Sequence, residues 1–136
     1  MIRKIVHDPL FLAIRSETAT ETDKPVITDL LDTLRANLDR CVGMAANMIG
    51  VRKRIIVFCN GPMQMVMVNP QIIAGSGEYE TEEGCLSLVG VRKTKRYQKI
   101  TVKYQDQAFR QQTGTFEGFT AQIIQHETDH CDGILI

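Results

Sequence analysis

The sequence predicts an α+β domain from three observations. Residues 22–42 repeat apolar side chains every three or four positions, the middle third is rich in β-branched residues broken by turn signals, and helical spacing returns over residues 114–130. One long early helix, antiparallel β-sheets and one late helix make a pattern in which sheet and helices share a core. At 136 residues the chain has the size of one ordinary domain, so residues 1–136 are expected to fold as one unit without help from disulfides.

The first helix is read from TDKPVITDLLDTLRANLDRCV, residues 22–42. Thr22, Asp23 and Pro25 suit an N-cap and first turn, and Val26, Ile27, Leu30, Leu31, Leu34 and Leu38 lie on one face. The stretch that follows, GMAANMIG, is built of small residues and suits a tight backbone approach better than continued helix. RIIVFC (54–59) and MQMVMVNP (63–70) read as strands joined at Asn60-Gly61-Pro62, a good turn signal. In KITVKYQD (99–106), Ile100, Val102 and Tyr104 alternate with Lys99, Thr101 and Lys103, the pattern of a half-buried strand. GTFEGFTAQIIQHETDH (114–130) then turns helical, with Phe119, Ile123, His126 and His130 spaced to share a face.

Sixteen Lys plus Arg balance sixteen Asp plus Glu, so the chain as a whole has no electrostatic pull toward nucleic acid or an anionic membrane. RKTKR, residues 92–96, is the local exception and reads as a solvated strand edge. Charged residues interrupt the apolar ones in MIRKIVHDPLFLAIRSE, unlike a signal peptide, and no segment has the length of a membrane span. A cytoplasmic protein is therefore expected, with Cys41, Cys59, Cys85 and Cys131 as reduced thiols and His7 as a surface residue in a mobile N-terminal stretch.

Chemistry concentrates in QHETDH, residues 125–130. Residues four apart on a helix lie one above the other, so His126 and His130 can aim two imidazoles at one point with Glu127 beside them. This is the arrangement in which a metal activates water and a carboxylate moves its proton. Two ligands do not complete such a site. EEGCLS, residues 82–87, offers a candidate third in Cys85, which follows a glycine that lets the backbone pass close; the alternative for Cys85 is a buried core thiol.

CVGMAANM (41–48), EGCLS (83–87) and QHETDH (125–130) together resemble the three motifs of the peptide deformylases, metal hydrolases that remove the N-formyl group from newly made bacterial polypeptides. The resemblance spans essentially the whole chain. It implies Cys85, His126 and His130 as metal ligands and Glu127 as general acid/base for attack of metal-activated water on the formyl carbon. It also implies the backbone N–H of Leu86 as an oxyanion donor, substrate contacts at Val42, Gly43, Gly84 and Arg92, and a methionine pocket near Ile123. The implied cofactor is one divalent metal, ferrous iron in the cell, with zinc, nickel or cobalt as replacements. The implied partners are an N-formyl-methionyl peptide and the ribosome exit region, with no nucleic-acid reading and no membrane.

Four positions depart from the family pattern: Cys41 stands for a glycine, Met44 for a leucine, Met48 for a glutamine and Cys131 for a leucine. Met48 matters most, because a thioether cannot donate a hydrogen bond to a developing oxyanion. Asn47 carries an amide, but on an extended strand it would face the opposite way unless the backbone turns. GILI follows directly on the metal helix, where family members usually continue through another element. An alternative therefore stands beside the hydrolase: a deformylase-like protein that binds metal and peptide with little turnover.

Overall fold

The computed structural model describes residues 1–136. Five strands form one antiparallel sheet in chain order: β1 (Gly43–Ala45), β2 (Ile55–Asn60), β3 (Met63–Cys85), β4 (Leu88–Gln105) and β5 (Gln111–Glu117). Three helices accompany it, a single turn α1 (Pro9–Leu12), then α2 (Lys24–Ala36) and α3 (Gly118–Cys131). None is long and apolar enough to cross a membrane.

The core has two halves, one on each face of β2. Ile55 and Val57 pack with Ile27, Leu30, Leu31 and Leu34 of α2, while Ile56 and Phe58 pack with Ala121, Ile123 and Ile124 of α3. Successive side chains of a strand point to opposite faces, so a strand covered by a helix layer on both sides needs an unbroken apolar run. Each of these large side chains contributes about 1.5–3 kcal/mol by leaving water.

Helix α2 is shorter than its spacing predicts. A 3-10 turn at Glu21–Asp23 precedes it, with Asp23 accepting from the Thr20 N–H at 2.8 Å. At the other end buried Asn37 donates its side-chain amide to Thr33 O at 2.7 Å, and its backbone N–H bonds Leu34 O. Such local bonds compete with continued helix and end it. Leu38 consequently lies beyond α2 and is exposed.

Residues 114–117 belong to β5, paired with Lys99–Val102, and not to the last helix. Phe116 meets Phe58 edge-on at 6.3 Å between ring centroids. The strand stops at Gly118, whose φ of +61° turns the chain into α3. Beyond that point β4 has lost its neighbour, and the Gln125 side chain replaces it: its amide accepts from Tyr97 N at 2.8 Å and donates to Tyr97 O at 2.9 Å.

The largest feature the sequence did not announce is the extension of β3 through residues 71–85, which makes a long hairpin with β4 whose turn lies at Leu86-Ser87. Gly75, Gly77, Gly84 and a run of glutamates hid the strand, because both are poor strand formers. Glu80 pairs with Lys95 and Glu82 with Lys93 across the ladder, so the outward charges of RKTKR are balanced. Arg96, from the same run, is buried. His7 is exposed as expected, yet its Nδ1 lies 3.0 Å from Ser87 O and ties the N-terminal segment to the hairpin turn.

Leu30→Ala removes a fully buried side chain from the α2 half of the core and should cost about 2–5 kcal/mol in urea unfolding, with metal stoichiometry unchanged.

Candidate metal centre

Helix α3 carries QHETDH against the sheet, with Ile123 and Ile124 buried on its packed side. His126 and His130 lie one turn apart, with ring centroids 5.0 Å apart and the rings tilted at 59° to each other. Their Nε2 atoms face each other at 3.2 Å, and Cys85 Sγ lies 3.2 Å from His130 Nε2. Cys85 reaches this point from the end of β3, where the strand closes into the hairpin turn. The Ser87 N–H donates to the Cys85 sulfur at 3.4 Å. The three candidate ligand atoms all lie within 4.8 Å of one another.

This donor set suits a divalent metal. Sulfur and nitrogen ligands held at about 2.0–2.3 Å in a tetrahedron lie roughly 3.3–3.6 Å apart, close to the spacing here, and three ligands leave one position open. Burial opposes a charge on His126, but the Cys85 sulfur and the Glu83 carboxylate outweigh it and hold its pKa up at about 10. Burial and then the His126 charge push His130 down to about 3.

Glu83 is the residue the sequence reading passed over. It accepts from His126 Nδ1 at 2.8 Å, from the Arg96 guanidinium at 2.7 and 3.0 Å, and from Gln122 Nε2 at 2.9 Å. Burial would raise its pKa, yet hydrogen bonds from His126, Arg96 and Gln122 hold it down at about 2. An ionised carboxylate only accepts, so His126 Nδ1 must be the donor and Nε2 is left for a ligand role. Arg96 also bonds Asp129 at 2.8 Å, so the hairpin meets α3 at His126, Gln122 and Asp129. The available signal was proximity in sequence: Glu83 precedes the candidate ligand Cys85 by two residues, although the ladder is irregular between Gly84 and Cys85.

Glu127 is buried, and one of its carboxylate oxygens has no partner in the protein. Burial pushes its pKa up to about 7. It borders a cavity of about 280 Å³ whose wall also includes Val42, Gly43, Gly84, Cys85, Leu86 and His126. Six of the residues singled out in the sequence therefore meet here beside Glu127. His130 lies fully buried behind them, and Arg92 stands outside the wall, its guanidinium 3.5 Å from Val89 O. Gly43 permits the close fit of β1 on α3: a Cβ there would fall 2.6 Å from the Ile123 side chain and 3.0 Å from a Glu127 oxygen.

Met48 and Asn47 separate in the structure because residues 46–49 form a 3-10 turn. Met48 lines the cavity, its sulfur accepting from Ala45 N at 3.4 Å. Asn47 turns away and donates to His130 O at 2.9 Å. Cys41 lines the cavity too, its thiol bonded to Gly43 O at 2.9 Å and pushed up to about 12 by burial and the Glu127 charge. Cys131 is a buried packing residue.

Arg96→Ala leaves the Glu83 and Asp129 carboxylates without their cation. It should cost about 3–5 kcal/mol in unfolding free energy and weaken metal retention measured by chelator competition.

Comparison with known proteins agrees with this geometry. The family model described as polypeptide deformylase matches residues 2–136. A peptide deformylase of Clostridium beijerinckii is 60% identical over 136 residues, covering 100% of both chains. One from Dictyoglomus thermophilum is 39% identical, covering 100% of this chain and 91% of its own. Among solved structures, the peptide deformylase from Legionella pneumophila superposes with a TM-score of 0.88 at 38% identity, covering 99% of this chain and 83% of that one. The Thermotoga maritima enzyme gives a TM-score of 0.88 at 30% identity, covering 99% and 95%. The α+β fold, the candidate Cys/His/His centre and these relatives lead to one conclusion: the chain belongs to the polypeptide deformylase family.

Proposed function

We propose that residues 1–136 act as one domain that removes the formyl group from the N-terminal methionine of nascent polypeptides in the cytoplasm. The observation that carries this reading is the opening of buried Glu127 and the Cys85/His126/His130 triangle onto one cavity. Cys85, His126 and His130 hold the metal, which we take to be ferrous iron; the same donors accept zinc, nickel or cobalt. When bound, the metal supplies Lewis-acid activation of water at neutral pH.

The chain's own residues perform the remaining tasks. Glu127, set against Gly43 at the cavity wall, takes the proton from the attacking water and returns it to the leaving amine. Leu86, in the hairpin turn, presents its backbone N–H to the oxyanion. A peptide lies extended between Val42-Gly43 on one side and Gly84 on the other, with Arg92 further along the hairpin as a contact to a peptide carbonyl. The methionine side chain enters among Val42, Met48, Phe119 and Ile123, an apolar wall suited to a thioether. On this reading the substrate is a formylated chain as it emerges, with the ribosome exit region as the partner.

Met48 favours a second reading, a metal- and peptide-binding protein of low turnover. Its sulfur accepts a backbone N–H, and the neighbouring Asn47 amide is committed to His130 O.

Formate release from formyl-Met-Ala-Ser by anaerobic, iron-loaded protein separates the two. The unchanged protein should exceed Glu127→Ala by at least a hundredfold; release at the Glu127→Ala background sinks the hydrolase reading for this substrate. Met48→Gln should raise turnover, by up to roughly a hundredfold where the thioether has cost the oxyanion a donor. Metal content has its own check: Cys85→Ala should abolish stoichiometric binding, and an unchanged metal count removes Cys85 from the ligand set.

A further inference from the structure

The two histidines of the triangle differ in what stands behind them. His126 donates from Nδ1 to Glu83 at 2.8 Å, which sets its tautomer and fixes its ring. His130 has nothing comparable. It is fully buried, its Nε2 faces Cys85 and His126, and its Nδ1 lies in the interior with no hydrogen-bond partner. A histidine that ligates through Nε2 carries its proton on Nδ1, and a buried N–H without an acceptor is costly.

Four buried side-chain oxygens also lack a partner: Ser16 Oγ, Asn47 Oδ1, Ser87 Oγ and Glu127 Oε1. Of their owners, only Asn47 is itself hydrogen-bonded to His130, through Nδ2 to the backbone carbonyl at 2.9 Å. Asn47 is fully buried, and the 3-10 turn at residues 46–49 directs it behind the triangle and away from the cavity. Its amide therefore has one group engaged on His130 and one orphaned oxygen, beside a ligand with one orphaned nitrogen.

We propose that Asn47 is the positioning residue for His130: its Oδ1 takes the His130 Nδ1–H when a metal occupies the triangle, as Glu83 takes that of His126. The amide beside Met48 thus serves the far side of the metal instead of the oxyanion. Asn47 touches neither substrate nor reacting atoms, and this role rests on His130 being a ligand. Loss of stoichiometric zinc binding in His130→Ala checks that assignment separately.

The test uses zinc-loaded protein, the ring ¹⁵N–¹H correlation of His130, and zinc affinity by chelator competition, with Asn47→Leu and Asn47→Asp. Leu removes both amide groups; Asp keeps the acceptor and loses the donor to the backbone. The unchanged protein should show a protected Nδ1–H on His130. Asn47→Leu should lose that protection and 10- to 100-fold in zinc affinity, and Asn47→Asp should retain affinity with the Nδ1–H resonance displaced by an anionic acceptor. Leu binding zinc as tightly as Asn overturns the proposal. So does folded Asn47→Asp weakening as much as Leu, which would assign Asn47 to the backbone bond alone. Should Asn47→Leu fail to fold, the Asp variant still decides, because an unmoved Nδ1–H resonance excludes Asn47 Oδ1 as its acceptor.

Discussion

A single buried anion organises this molecule. Glu83 sits near the end of a long hairpin, and three donors from elsewhere converge on it: Arg96 from the facing strand, and His126 and Gln122 from α3. Removing a carboxylate from water is costly, and only a full set of donors offsets the cost. That requirement makes the position of the hairpin relative to the helix a matter of charge satisfaction as much as of packing. Because Glu83 meets Nδ1 of His126 and Cys85 follows two residues later at the same end of β3, holding the first keeps the second beside the histidines.

The sheet provides the other half of the frame. β2 is covered on both faces, so α2 and α3 are held at a fixed separation by one strand's side chains. Gly43 then lets β1 approach α3 closely enough for the Glu127 carboxylate to border the cavity while staying buried. A carboxylic acid in that setting has its pKa near neutrality, where taking and returning a proton cost similar amounts. The raised pKa of Glu127 thus follows from a burial that the close approach of β1 allows.

What was legible in the sequence followed simple periodicity. β2 showed as an apolar run, α2 through its three- and four-residue spacing, and QHETDH through the one-turn separation of its histidines. RKTKR showed as a strand edge, but its partner, residues 71–85 of β3, was invisible because its glycines and glutamates satisfy ladder partners and an internal ion network, neither of which a hydrophobic pattern reports. Arg96 looked like one more surface charge in RKTKR because its burial depends on Glu83 and Asp129, residues 13 and 33 positions away. The strand at 114–117 was read as helix because Gly118, whose left-handed backbone ends it, carries no apolar signal. The motif residues could be named from the sequence; what braces Cys85 and His126 from behind came only with the fold.

Cys85 stands at the closed end of the hairpin, whereas His126 and His130 stand on a helix embedded in the core. A metal shared among them joins the end of a two-stranded ribbon to the body of the protein. The ribbon end also carries Gly84 and Leu86, which border the cavity, and Ser87, which His7 holds through its carbonyl. The ribbon is thus held at both ends, by the sheet at one and by the bonds of Glu83, Arg96 and Ser87 at the other. A cation held by Cys85, His126 and His130 would add one more tie at that same end, linking the metal site directly to the wall that carries Gly84 and Leu86.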